Sequence, residues 1–308
     1  MTQFEVQVQF HALSTRVLRL YDACSMDSIP ASFLDAVCTK LKEVDLENLG
    51  ETSSPWSWIA EVHYGKRRNW TVGLLANQEG TEVSIQMLGG WSWDIDPRYN
   101  RVTKISLGGR KIGKGHKVSL QRFKKKVLPL LLSLMVDCEL SIFSDNNCHP
   151  NLTDTIFRGL FSSTQLTIIS TMNCGGKCPE FIKHQISLGH VKDISLYGEK
   201  EWPTDMTASL KQFLKAPNYA HLYVSGSNLS LDFEMVSCFV ERVFNRKFSS
   251  TVNIRGKASF PLSLLRTLYS QSITAVEDKG WITLTFWKQQ GRTLTATTHK
   301  NECALNWS

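Results

Sequence analysis

Residues 116–300 alternate between short β-branched runs and amphipathic helical runs, and this alternation limits the fold more than any other feature. Strands are expected at Glu139–Phe143, Gln165–Ser170, Val191–Tyr197, Ala220–Ser225 and Thr251–Arg255. Helices are expected at His116–Asp137, Thr153–Phe161, Pro179–Leu188, Pro203–Lys215, Leu231–Arg246 and Pro261–Tyr269. The strand centres Ile142, Ile168, Leu196, Val224 and Ile254 recur every 26 to 30 residues. That is close to the period of leucine-rich repeats. A unit of one strand and one helix cannot cover its own apolar face, so it must stack on its neighbours. A doubly wound sheet alternates in the same way and is the structural rival. The even period, and the lack of a phosphate-type glycine turn after any strand, favour the stack. Ile273–Val276, Trp281–Trp287 and Arg292–Thr298 read as closing strands.

The rest of the chain is organised differently. Ser28-Ile29-Pro30 reads as a helix start, with Ser28 as cap and Pro30 in the first turn. Phe33, Leu34, Val37, Cys38 and Leu41 follow at helical spacing. Val44, Leu46 and Leu49 form a second short helix closed by Gly50, and Trp56 to His63 a third. Trp70, Val72 and Leu74 alternate, Asn77-Gln78-Glu79-Gly80 turns, and Val83, Ile85 and Met87 alternate again, which predicts a hairpin. Gly89–Trp93 and Val102–Leu107 are further strand candidates, and Gly108–Gly115 is a basic loop. The expected organisation is an extension at 1–25, a helical motif at 26–70, a β-rich connection at 71–115 and an αβ-repeat domain at 116–308.

A chain of 308 residues that is 42% hydrophobic and 20% charged has ample material for a core. Its eight cysteines are scattered, mostly inside apolar runs, as buried free thiols are. Met1–Phe10 lacks the pattern of a secretory leader. Val127–Val136 carries Pro129 and Ser133 and is half the length a bilayer needs, about 20 residues. The expected setting is cytoplasmic or nuclear, with no membrane partner.

Ile29-Pro30, Phe33, Val37, Leu41, the Val44-Asp45-Leu46 run, Leu49 and Trp56-Ser57-Trp58-Ile59 together resemble an F-box. Over most of residues 26–300, including 210–244, the chain resembles the large nematode-expanded group of divergent F-box-like proteins. Gly50–Ser54 stands where the family carries a Leu-x-x-Val-Cys run. The resemblance implies an α/β chain: a short N-terminal trihelical F-box-like motif, a β-hairpin region, then a leucine-rich-repeat-like or F-box-associated array. It implies docking onto a Skp1-type adaptor, and through it a cullin, of a ubiquitin ligase. Adaptor anchors would be Ile29, Pro30, Phe33, Val37, Leu41, Leu46, Leu49 and Trp56. A protein substrate would be held by the C-terminal repeats, with Ser141, Thr167, Ser195, Tyr223 and Asn253 as outward strand residues. The alternative is a non-catalytic repeat scaffold without a ligase link.

Other constellations have plainer readings. Cys174-Gly175-Gly176-Lys177-Cys178, with Cys148-His149, His184 and His190, has zinc-ligand residue types but not the usual paired spacing. A glycine turn explains it, and no metal or cofactor is expected. Lys66-Arg67-Arg68 and Lys124-Lys125-Lys126 read as solvated faces rather than a nucleic-acid grip, despite a net charge of +7. Gly-x-Ser-x-Gly and His-Glu-x-x-His are both missing from the sequence, and the chain reads as a receptor subunit rather than an enzyme.

Overall fold

A computed structural model describes residues 29–52, 54–88, 95–108, 115–143, 149–198, 200–245, 251–268, 274–278, 281–289, 292–299 and 302–307. These fall into two compact units, one within 1–68 and 94–101, the other within 69–93 and 102–308. The expected extension at 1–25, the Ser28 cap, the Gly89–Trp93 strand, most of the 108–115 loop and Cys148 lie outside the described residues.

The first unit holds α1 (Ala31–Cys38), α2 (Glu43–Gly50) and α3 (Ser54–Lys66). Helices of eight residues are marginal alone, so packing must hold them. Leu34, Cys38, Leu46, Ile59 and Ala60 form the core, with Ile29, Leu41, Leu49 and Trp56 packed around it.

The second unit is a mixed α/β domain on one large sheet. Strands β1 (Arg68–Ala76) and β2 (Glu82–Leu88) form the expected antiparallel hairpin. Asn77 shapes its turn: the side-chain oxygen accepts from the backbone N–H of Thr81 at 2.8 Å and of Glu82 at 2.9 Å. Strand β4 (His116–Ser119) pairs with the far side of β2. Strand β3 (Asn100–Leu107) lies between β1 and the parallel block. That block is β5 (Met135–Ile142), β6 (Leu166–Met172), β7 (Asp193–Tyr197), β8 (His221–Tyr223) and β10 (Val252–Ala258); the two-residue β9 (Ser230–Leu231) pairs beside β10. An antiparallel run β11 (Thr274–Asp278), β12 (Trp281–Gln289), β13 (Arg292–His299) and β14 (Glu302–Trp307) finishes the sheet. Its last strand docks against β10. Strands β1, β2 and β3 therefore belong to the same sheet as the strands after them. Strand β14 was not expected, and Pro261–Tyr269 supplies only a 3-10 turn, Leu262–Thr267.

Helices α5 (Pro150–Leu160), α6 (Cys178–Leu188), α7 (Met206–Lys215) and α8 (Phe233–Asn245) link the parallel strands. Each packs on the next, so they form one row rather than the two of a doubly wound sheet. Beneath them Ile105, Leu140, Ile169, Ile194, Leu222, Ile254, Leu305 and Ala296 stand in one register, every one fully buried.

The helix expected at His116–Asp137 is shorter than its apolar spacing suggests. Val118 is buried opposite Val83 in the sheet, and Ser119 caps the helix by accepting from the Arg122 N–H at 3.2 Å. Helix α4 then runs through Leu120–Arg122, a π-type turn at Phe123–Val127 and Leu128–Ser133. Pro129 accounts for the wide turn. It has no N–H to offer the carbonyl of Lys125, and its ring crowds that carbonyl.

Helix ends in this row are closed by long side chains from later elements. Gln185 of α6, fully buried, donates to the carbonyls of Leu160 (2.9 Å) and Phe161 (2.8 Å) at the end of α5. Arg242 of α8 donates to Leu214 (2.6 Å) and Pro217 (2.9 Å) at the end of α7. Replacing Gln185 by Leu leaves the Phe161 carbonyl without this donor, while Leu160 keeps the Ser163 N–H at 3.0 Å. The expected loss is about 2 kcal/mol of unfolding free energy, read as a lower urea midpoint at unchanged slope. A midpoint within error of wild type would show that the cap contributes nothing.

Candidate functional site

Two surfaces are candidates, one in each unit. In the helical unit, two buried arginines fasten the turn after α1. Arg67 donates to the carbonyl of Cys38 at 2.8 Å and to that of Leu41. Arg101 donates to the carbonyls of Thr39, Pro97 (2.8 Å) and Asn100 (2.9 Å). The carbonyls of Cys38 and Thr39 are loose ones at the C-terminus of α1, where a cation is favoured. Burial lowers both guanidinium pKa values, and the neighbouring Arg67 charge lowers that of Arg101 further.

The segment 95–101 folds onto α3. Tyr99 lies 5.0 Å from the ring of His63, with Lys66 Nζ 5.3 Å and Arg98 5.1 Å from its centre. His63, fully buried, meets Asp35 Oδ1 at 2.9 Å. Asp96 is held below the usual carboxylate range by hydrogen bonds from the Arg98 side chain and backbone.

With the unit closed in this way, several apolar side chains stay outside. Phe33 is 55% exposed, Val44 56% and Trp58 66%, and Tyr64 and Pro30 are exposed as well. Of the expected anchors, Pro30 and Phe33 are on the surface and Val37 is half-buried. Ile29, Leu41, Leu49 and Trp56 lean on the core with part of their surface free. Leu46 is a correction: at 1% exposure it is interior and available to no partner. Val44, Trp58 and Tyr64 were missed. The signal for Trp58 was present, since Trp56, Ile59, Ala60 and His63 share one helical face and Trp58 falls opposite it.

The second surface is the sheet face turned away from the helix row. Two rows of residues run across it. Ser106, Ser141, Ser170, Ser195, Tyr223 and Arg255 stand in register, and beside them run Lys104, Glu139, Ile168, Asp193, His221 and Asn253. Lys104 Nζ meets Glu139 Oε1 at 2.8 Å, and Ser141 donates to the same oxygen. Burial pushes the Glu139 pKa up, but these two hydrogen bonds outweigh it and hold the carboxyl below its ordinary value. At the far end Ser225 donates to Glu302 Oε2 at 2.9 Å, and Arg255 lies 3.8 Å from that oxygen and 5.5 Å from the centre of the Tyr223 ring. Such a face offers hydroxyls, amides and both signs of charge in fixed spacing, which suits recognition of a polar chain.

Ser195, Tyr223 and Asn253 lie on this face, half-buried. Ser141 lies in its row but is 1% exposed, with its hydroxyl turned to Glu139, so it is no contact residue. Thr167 is on the other face, under the helices and 7% exposed; Ser170 occupies the position intended for it. The pairing register explains the slip. Leu166 lies opposite Cys138 and Ile168 opposite Glu139, so Thr167 is the extra residue of a bulge on β6. A one-residue shift of this kind exchanges faces along the strand. Among the described residues no three His, Cys, Asp or Glu side chains come together to hold a metal ion. No helix among them is long and apolar enough to cross a membrane.

Asp193 gives this face a pH dependence. It lies 4.0 Å from His221, and its Oδ1 has no hydrogen-bond partner among the described residues. Burial raises its pKa, against the opposing pull of His221. A carboxyl whose pKa is raised on folding stabilises the fold below its unfolded pKa. That contribution is lost as pH rises through the folded value. Asp193→Asn is therefore expected to raise the urea midpoint near pH 7, with the gain shrinking as pH falls towards the ordinary aspartate value of about 3.9. A variant less stable than wild type at neutral pH would show instead that attraction to His221 outweighs burial.

The sequence matches no protein-family model and no curated protein.

Proposed function

We propose that the chain is the substrate-recognition subunit of a Skp1–cullin–F-box type ubiquitin ligase. Residues 26–70 would dock on the Skp1-type adaptor, and the open sheet face would hold a protein substrate. The reading rests on one observation above the rest: the helical unit completes its own core and still exposes Phe33, Val44 and Trp58. An amphipathic helix with surplus apolar side chains fits a partner's hydrophobic groove. The resemblance of Ile29 to Ile59 to an F-box supplies the class of partner. The parallel strand–helix run from β5 to β10 is leucine-rich-repeat-like in period, with one covered and one open face. Chemistry is not assigned to the chain: it would bring a substrate near the transferring enzyme and raise its local concentration.

The test is co-purification with a Skp1-type adaptor. Burying one large apolar side chain contributes about 1.5–3 kcal/mol, so each lost anchor costs about tenfold or more in affinity. Wild type is expected to retain the adaptor. Phe33→Asp and Trp58→Ala are each expected to release it by at least about that factor, while leaving the thermal unfolding of the chain unchanged. Equal capture by both variants, or none by wild type, defeats the ligase reading and leaves a non-catalytic scaffold that uses the sheet face alone.

A further inference from the structure

The loop between β6 and α6 brings two thiols to one point. Sγ of Cys174 and Sγ of Cys178 each lie 3.6 Å from the carbonyl oxygen of Met172, which also accepts from Thr171 Oγ1 at 2.8 Å. The turn that folds them together is closed by the Cys178 N–H on the Gly175 carbonyl at 3.0 Å, with Gly175 and Gly176 at φ +74° and +54°. The left-handed backbone at 175 calls for glycine, and Lys200 Nζ stands 2.2 Å from where a Cβ would be, so the ammonium group lies over the loop backbone. Cys178 is fully buried at the first position of α6, whereas Cys174 is partly open to solvent. One accessible thiol backed by one buried thiol is the layout of an attacking and a resolving cysteine.

We infer that Cys174 and Cys178 form a reversible disulfide, with a peroxide as the oxidant. The Cys174 thiolate attacks one peroxide oxygen. The O–O bond breaks, the leaving oxygen takes up a proton as water or an alcohol, and Cys174 becomes a sulfenic acid. Cys178 sulfur then attacks the Cys174 sulfur. The S–S bond forms, the S–O bond breaks, and the hydroxyl departs as water with the Cys178 proton. Two thiols have supplied two electrons to one peroxide, and a dithiol reductant reverses the change. The Met172 carbonyl keeps the Thr171 donor throughout, so oxidation orphans no buried acceptor.

The surroundings set Cys174 apart. Its thiol is lowered by a hydrogen bond from Cys178, against burial, with Thr171 and the Lys200 charge adding to the fall. Cys38, Cys138, Cys238 and Cys303 are all raised by burial, Cys138 and Cys303 to about 12. A thiolate is the nucleophile in such chemistry, so the others are poor competitors.

The experiment treats the full chain with hydrogen peroxide, blocks remaining thiols with an alkylating reagent and reads each cysteine by peptide mass spectrometry. The expected result is loss of two hydrogens on the peptide holding Cys174 and Cys178, restored by a dithiol reductant. Cys174 should disappear at least about tenfold faster than Cys238, the other partly exposed thiol among the described residues. Cys178→Ser should block the disulfide and leave a sulfenic acid at Cys174, trapped by a cyclic dione. Cys178→Ala serves the same purpose if serine disturbs the buried site. Equal loss of Cys174 and Cys238, a Cys174 bridge to any other cysteine, or no trapped sulfenic acid in both variants overturns the proposal.

Discussion

Among the described residues the helices cover the sheet on one face only, and most of what this domain can do follows from that. The row from Ile105 through Leu140, Ile169, Ile194, Leu222 and Ile254 to Leu305 is sealed by helices packed side by side. A parallel sheet usually has both faces covered. Here one face is not covered by the described residues, and the residues alternating with the apolar row are polar apart from Ile168 and pair with one another. Lys104, Glu139 and Ser141 do so at one end, Ser225, Glu302 and Arg255 at the other. Asp193 lies between these networks without a hydrogen bond to Oδ1, and its raised pKa is the physical mark of that position.

A second problem recurs in both units: how to close a helix whose last carbonyls are buried. Among the described helix ends glycine closes α6 in the left-handed manner, at Gly189 with φ +73°. Elsewhere a long donor reaches back from a later element, Gln185 to α5, Arg242 to α7, and Arg67 with Arg101 to α1. Arginine suits this role because its planar fork meets two carbonyls at once and stays charged even when burial lowers its pKa. Each cap also ties one helix to a later element, so local satisfaction and tertiary order come from the same bonds.

The strand–helix alternation was legible in the sequence: β5, β6, β7, β8 and β10 each fall where a strand is expected, with a helix between each and the next. The phase was not legible. Nothing in Leu166-Thr167-Ile168 announces an extra residue in the pairing, yet that one residue decides which side chains of β6 face outward. Strand β6 shows the ambiguity directly. Leu166, Thr167, Ile168 and Ile169 are all plausible strand residues, and only the pairing of Ser170 with Ser141 and Ser195 settles their faces. His116–Ser119 failed for another reason: helical spacing was present, but β2 offers an edge, and Val118 is better placed against Val83 than on a free helical turn. In the helical unit the anchors were chosen by apolar character. Burial sorts them by face, which puts Leu46 inside and Trp58 outside.

That sorting bears on how the helical unit is understood. A lone exposed apolar residue means little, because much of any protein surface is apolar. What sets α1 to α3 apart is that closure is achieved by other means. Two arginines and the Tyr99 segment hold the turn after α1 and one side of α3, while the apolar core stays small. A unit of this size that needed apolar cover for stability would have turned Phe33 and Trp58 inward first, since they would bring the most buried area. Instead Cys38 and Ala60, both small, share the buried core with Leu34, Leu46 and Ile59, and Phe33 and Trp58 stay out. The small residues at Cys38 and Ala60 let three short helices approach closely, and the bulky side chains of Phe33, Val44 and Trp58 stay on the surface.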